Sequence, residues 1–404
     1  MKSATSFLLA ARQSEIAELE ELARTSELVG VTGRFIHALQ RERGICNIFL
    51  SSHGSRFASQ RLRQVEECSQ VESEVRAQLE ALETDAHRVR NGSRLFSRVA
   101  VVLHALDGLP ALRARIARQA LSARDATAAY VKLVTGLLGV VFEAADSASD
   151  PKVSRALVAM FNFMQGKELA GQERALGAGV FAAGYIDASG QQQWRHLIES
   201  QQACFQVFTD FADTEVLRAD QASRDPAALA ELERLRRIGC STRRELDPNL
   251  SQAWYEWATR RIDTMRAVED VLARHLRELC EARIAQARSE LRDQRAMLDA
   301  LATDPSAESS ASFGPHLERS IFGMVQEQAR RLQEMSDELD AVRTSLNERK
   351  VVERAKGLLM AHRQMTEDDA YKALRQMAMN QNRRIVDVAE AVLSLAEVLP
   401  GGSG

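Results

Sequence analysis

An all-α fold follows from three features of the sequence. Apolar residues recur at spacings of three and four along most of the 404 residues, convincing two-residue alternation is scarce, and only 7 prolines interrupt the chain. A chain of this length can form two or more domains with cores of their own. The spacing predicts one large helical unit over residues 1–300, a linker over 301–316, a coiled coil over 317–349, a compact three-helix element over 350–399 and a disordered tail over 400–404.

Charge is nearly balanced, with 53 Lys+Arg against 56 Asp+Glu for a net −3, so a nucleic-acid site has to be a local feature. The opening "MKSATSFLLAARQSEIAELEEL" lacks the apolar core of a signal peptide, and no uninterrupted apolar run approaches the roughly 18–20 residues of a membrane helix. A soluble cytoplasmic protein is the expectation. The five cysteines, Cys46, Cys68, Cys204, Cys240 and Cys280, stand singly in helical patterns without C-x-x-C or zinc spacing, which predicts reduced thiols packed as small hydrophobes.

The first informative element is "RFIHALQRERGICNIFLSS" (34–52), whose apolar stripe is Phe35, Ile36, Leu39, Cys46, Phe49 and Leu50. Arg43 falls inside that stripe and Arg41 opposite it. "DGLPALRARIARQAL" then supplies a turn and a helix. Asp150–Pro151 and Asp225–Pro226 each read as an N-cap followed by proline in the first turn. In "KELAGQERALGAG", Arg174 lies on the face of Phe163, Ala170, Gly171, Gly177 and Phe181. In "DPAALAELERLRRIGCS", Arg236 follows Leu229 and Leu232 at helical spacing, while Arg237 points about a quarter-turn away. A long helix opens near Ser251 and runs as a rod to about Leu301. Beyond the linker, Ile321, Val325, Leu332, Met335, Leu339, Val342 and Leu346 occupy heptad a and d positions, with Gln328 the polar exception. That pattern fits a parallel dimeric coiled coil or an intramolecular helical hairpin. Thr366 is placed as N-cap of the next helix, with the apolar face Ala370, Leu374, Met377 and Ala378.

Three helices thus each direct one arginine inward, and a buried guanidinium left unpaired costs several kcal/mol. One reading is structural ion pairing with Glu42, Glu168, Glu173 or Glu233. The other is joint capture of a small planar oxyanion, since the guanidinium fork offers parallel N–H donors to two oxygens. Enzymatic chemistry has no support: the sequence shows no phosphate-cradling glycine loop, nucleophile elbow, metal-ligand spacing or H-E-x-x-H.

Two resemblances bear on these alternatives. "ERAKGLLMAHRQMTEDDAYKALRQMAMNQNRRIVDVAEAVL" resembles the ANTAR domain through A-K-G-x-L-M at Ala355 to Met360, A-x-x-x-L-R at Ala370 to Arg375, Ala378–Met379, and R-x-x-D-V-A at Arg384 to Ala389. "LQRERGICNIFL", "KELAGQERAL" and the later W-x-x-x-A-T-x-R-I-D-x-M-R-A-V-E resemble the NIT nitrate- and nitrite-sensing domain over about residues 25–285. The NIT resemblance implies a pair of packed four-helix bundles, with nitrate or nitrite held between arginines as regulatory ligand and no cofactor. Arg43 matches its motif arginine, Arg236 is the expected second ligand with Arg237 as substitute, and Arg174 reads as a third ligand or as a buttress paired with a carboxylate.

The ANTAR resemblance implies a homodimer binding leader RNA that carries paired hexaloop hairpins, so preventing termination, and NIT followed by ANTAR implies that the genes downstream are those of nitrate assimilation. It implies contact with the transcription machinery only indirectly and none with membrane. Lys356, Arg363, Arg375, Arg383 and Arg384 flank the apolar stripes and are the RNA-contact candidates. Because Tyr371 and His362 are the element's only aromatics, arginine planes would do much of the base stacking. The competing readings are a ligand-responsive DNA-binding transcription factor and a constitutive helical scaffold.

Overall fold

The computed structural model describes residues 4–82, 92–241, 245–302, 315–363, 365, 367–381 and 383–398. Among these every regular element is a helix. In chain order they are α1 (Ala4–Ser51), α2 (Ala58–Glu80), α3 (Gly92–Asp107), α4 (Leu109–Ala117), α5 (Ala123–Ser147), α6 (Pro151–Ala183), α7 (Ala188–Phe211), α8 (Thr214–Ser223), α9 (Pro226–Ser241), α10 (Leu250–Ala302), α11 (Pro315–Arg363), α12 (Glu367–Gln381) and α13 (Ile385–Val398). Contacts divide the chain into two compact units, Met1–Gln328 and Ala329–Gly404.

In the larger unit α1 packs on α2, α5 and α10, and α5 also meets α3 and α6. The other group is built on α6, which lies against α7 and α10, with α9 touching α7 and α10 and α8 on α10. α1 begins well before the stripe that predicts it, because Leu19, Leu22, Leu28 and Val29 carry the buried face back toward the amino terminus. Both Asp–Pro devices are real caps. Asp150 accepts from the backbone N–H groups of Lys152 and Val153, and Asp225 from those of Ala227 and Ala228. Each also pairs with an arginine of α10, Asp150 with Arg283 at 2.8 Å and Asp225 with Arg260 at 2.9 Å.

The core beside α6 is aromatic. Trp194, Trp254 and Phe181 are fully buried, and the two indoles meet edge to face with centroids 5.0 Å apart. Gly177 and Gly239 make room for them, since a Cβ at either position would run into Trp254 or Trp194 respectively. Each indole N–H has an acceptor: Trp194 donates to Glu173 and Trp254 to the carbonyl of Arg174, both at 3.0 Å.

Two segments, Ser93–Ala117 and Ala123–Ser147, are long and apolar enough to cross a membrane when scattered charged residues are admitted. The first is broken at Gly108 into α3 and α4, and the second is α5, whose Tyr130, Val134, Leu137, Leu138 and Val141 form core. Cys46, Cys68, Cys204 and Cys280 are buried free thiols and Cys240 is partly buried. Burial pushes Cys46 and Cys240 up to about 11, which keeps both protonated and unreactive.

In the smaller unit, Ala355 and Leu359 of α11, Ala370, Leu374 and Ala378 of α12, and Val388 and Ala389 of α13 form one small core. Alanines at the contacts let short helices approach closely. Along the heptad stripe, Leu339, Val342 and Leu346 are buried within the single chain, whereas Leu332 is exposed. The side chains of Ile321, Val325 and Gln328, Thr366, most of the linker and the tail lie outside the described residues.

Candidate functional site

The inward arginines sort into two clusters along α6. The first lies in the seam between α1 and α6. Arg43, 3 % exposed, makes a bidentate pair with Glu168 of α6, Nη1 to Oε1 at 2.5 Å and Nη2 to Oε2 at 3.2 Å. The same carboxylate accepts from the Gln40 and Gln172 amides at 2.8 and 3.0 Å. Glycine makes this packing reciprocal. Arg43 of α1 fills the space left by Gly171 of α6, where a Cβ would sit 2.7 Å from Nη2. Arg174 of α6 fills the space left by Gly44 of α1, where a Cβ would sit 3.1 Å from its Nη2.

Arg174 is the exception among the inward arginines. The expected carboxylate buttress is not there: among the described residues no acidic group lies within ion-pair distance of it. α10 supplies its partners instead, with the Thr259 hydroxyl accepting from Nη1 at 3.0 Å and the Tyr255 ring lying 5.1 Å from the guanidinium carbon. Burial, with the positive charge of Arg43 adding to it, holds the Arg174 guanidinium below the ordinary arginine range. Arg43, Arg174 and Glu168 therefore leave one positive charge without a counter-ion in the seam. An open groove of about 540 Å³ runs alongside, lined by Tyr255, Glu256, Thr259, Arg260, Asp263 and Thr264.

The second cluster closes on itself. Arg236 of α9, 7 % exposed, grips Glu173 through Nε at 2.7 Å and Nη2 at 2.6 Å, and Glu233 through Nη1 at 2.5 Å. Gln201 donates to Glu173 as well, at 2.8 Å. Burial alone would raise the Glu173 carboxyl, but Arg236 and Gln201 outweigh it and hold it below the usual carboxylate range. Arg237 points outward and is exposed. Arg261 of α10, partly buried beside this cluster, donates to Gln201 at 2.9 Å and is pushed down to about 10 by desolvation and by Arg236.

Arg43 and Arg174 are thus brought together, and no contact joins Arg236 to Arg43. Glu168, Glu173 and Glu233 are the carboxylate partners proposed from sequence. Glu42 is not, because it is engaged by Arg113 at 2.8 and 2.9 Å and by the Tyr130 hydroxyl at 2.7 Å. Sequence reasoning passed over Tyr255, Thr259 and Arg261, although the stretch that carries them stood out as a motif.

In the smaller unit, Arg383 and Arg384 are exposed and Arg375 is partly buried. Arg384 holds Glu348 at 3.1 Å and Asp387 at 3.0 Å. Lys356 departs from its expected place at the surface. It is 7 % exposed, bound to Glu353 at 2.8 and 3.0 Å, and its ammonium lies 6.0 Å from the Tyr371 ring, so the flexible stem folds back along the helix. The side chain of Arg363 lies outside the described residues.

The chain thus joins a helical core with a charged arginine seam to a small helical module with arginines on its surface. Comparison with known proteins gives this arrangement its class. Residues 34–277 match the NIT family, described as nitrate and nitrite sensing, and residues 340–393 match the ANTAR domain. The chain belongs to the NIT family and carries an ANTAR module, which makes it a regulator and not an enzyme. It is 34% identical to a nitrate regulatory protein of Klebsiella oxytoca over 390 residues, covering 95% of this chain and 93% of that one. The solved structure of the NasR transcription antiterminator superposes with a TM-score of 0.62 at 31% identity, covering 96% of this chain and 98% of that one.

Proposed function

We propose that the protein is a cytoplasmic regulator that binds nitrate or nitrite in the seam between α1 and α6, then binds leader RNA as a dimer and prevents transcription termination. The uncompensated charge at Arg43, Arg174 and Glu168 carries the reading. Glu168 balances Arg43 while Arg174 beside it is held only by a hydroxyl and a ring, so a monoanion would complete the charge balance. Nitrate is planar and weakly hydrated, which suits the parallel donors of an arginine fork and keeps its desolvation cost low. Arg236 has Glu173 and Glu233 as counter-ions already, and we favour for it a role in holding α9 on α6.

Binding has to favour one arrangement of α1, α6 and α10 over another, because a ligand shifts a conformational equilibrium only through its differential affinity. On the RNA side, Arg375, Arg383 and Arg384 are the contacts we favour. Hairpin phosphates would compete with Glu348 and Asp387 for Arg384. Splayed loop bases would stack on guanidinium planes, and the exposed Met379 offers an apolar surface beside them.

The test measures binding to a two-hairpin leader RNA with and without nitrate. Wild type should bind more tightly with nitrate, while Arg43→Ala and Arg174→Ala should lose the response. Arg236→Ala should respond to nitrate but melt earlier, since removing one partner of a buried ion pair costs about 3–5 kcal/mol. A nitrate response that survives in Arg174→Ala would remove the seam from consideration.

A further inference from the structure

α10 passes the Arg174 side of the seam, and two of its hydroxyl groups stand there. Thr259 accepts from Arg174 Nη1 at 3.0 Å, so its own proton is directed elsewhere. Tyr255 lays its ring against the same guanidinium, and its hydroxyl oxygen comes within 3.4 Å of where a Cβ would stand on Gly44. Arg174 Nη2 comes within 3.1 Å of that same point. Neither hydroxyl donates to an acceptor among the described residues. Both line an open groove on α10, together with Glu256, Arg260, Asp263 and Thr264.

We infer that Tyr255 and Thr259 are anion ligands in their own right: their O–H groups donate to oxygens of nitrate or nitrite bound by Arg174, and α10 is the third wall of the site. This rests on the reading that the anion binds at Arg43 and Arg174. Three observations support it. The two residues are four apart in α10 and therefore share one helical face, aimed at one guanidinium. Their protons are free while the atoms around them are packed. Gly44 opposite lets both the Arg174 guanidinium and the Tyr255 hydroxyl approach α1, since a Cβ there would sit 3.1 Å from Nη2 and 3.4 Å from the hydroxyl oxygen.

The chemistry also gives the pair a selective role. A guanidinium attracts any anion, chloride included. A hydroxyl set at a fixed angle rewards an oxygen placed to accept from it, so Tyr255 and Thr259 favour a planar oxyanion over a spherical halide. Glu256 and Asp263 line the same groove, and their carboxylates repel anions in proportion to charge, so a monoanion is disfavoured least.

The experiment is calorimetric titration of the full-length protein with sodium nitrate, using sodium chloride as the control, on Thr259→Val, Thr259→Ser, Tyr255→Phe and Arg174→Ala. Thr259→Val keeps the shape and removes the hydroxyl, and should weaken nitrate binding about tenfold, the effect of losing one hydrogen bond to a charged group. Tyr255→Phe should weaken it by a similar factor. Thr259→Ser should bind as wild type does, which a purely packing role for the threonine methyl would not give. Should Thr259→Val fail to fold, Tyr255→Phe and Thr259→Ser still decide the matter. Wild-type affinity in both Thr259→Val and Tyr255→Phe, with Arg174→Ala inactive, overturns this inference and leaves the seam intact. Wild-type affinity in Arg174→Ala overturns the seam itself.

Discussion

A guanidinium held by a hydroxyl and a ring is chemically different from one held by a carboxylate, and Arg174 and Arg236 illustrate the two cases on neighbouring elements. Arg236 is neutralised and fixed, whereas Arg174 keeps its charge unsatisfied. His37, on the α1 face toward Lys167 and Arg266, shows what such surroundings do to a titrating group. Burial first, then the charges of Lys167, Arg266, Arg41 and Arg174, lower it from 6.5 to about 2. It is therefore neutral when folded and protonated in the unfolded chain once the pH falls below 6.5. The unfolded state then binds the extra proton, so stability declines as pH falls through that value, by about 1 kcal/mol down to about pH 5.5. His37→Gln should show a shallower loss of Tm across that window than wild type, and parallel profiles would remove His37 as the cause. The inward direction of Arg43, Arg174 and Arg236 was legible from periodicity alone. Their partners were not, because Glu168, Glu173 and Thr259 stand far away in sequence and reach the arginines only through helix packing. Lys356 was misplaced for a related reason: spacing locates a Cβ, not the end of a flexible stem.

At the scale of elements, the Asp–Pro caps do two things at once. Asp150 closes the start of α6 and also binds Arg283 of α10, while itself only 1 % exposed. Removing it leaves two backbone donors and a largely buried guanidinium without their acceptor. Asp150→Ala should destabilise the protein by about 3 kcal/mol, combining a lost cap with a broken buried pair. Asp150→Asn keeps the cap and should cost about half as much. Wild-type stability in Asp150→Asn, measured by urea unfolding, would show that the ion pair to α10 adds nothing. The caps were legible as Asp–Pro dipeptides next to apolar runs. That Asp150 and Asp225 both face arginines of α10 was not, since it depends on where α10 passes.

For the whole molecule, the heptad stripe of α11 is divided. Leu339, Val342 and Leu346 are buried in the single chain, and Leu332 is left exposed. A dimer formed along this stripe would cover Leu332, so Leu332→Asp should yield monomers in sedimentation experiments while leaving the melting temperature of the dilute protein unchanged. Wild type that sediments as a monomer at micromolar concentration would exclude this interface.

α10 contains neither glycine nor proline from Leu250 to Ala302, so it has no built-in hinge. Thr259 stands near its beginning, with about 65 Å of helix, at about 1.5 Å per residue, between it and the far end. Over that radius a swing of about 3° displaces the end by about 3 Å. Were an anion to tilt α10 slightly at Thr259, the length of the helix itself would supply geometric gain, and a displacement too small to disturb the core near the seam would become one comparable to an atomic diameter at Ala302.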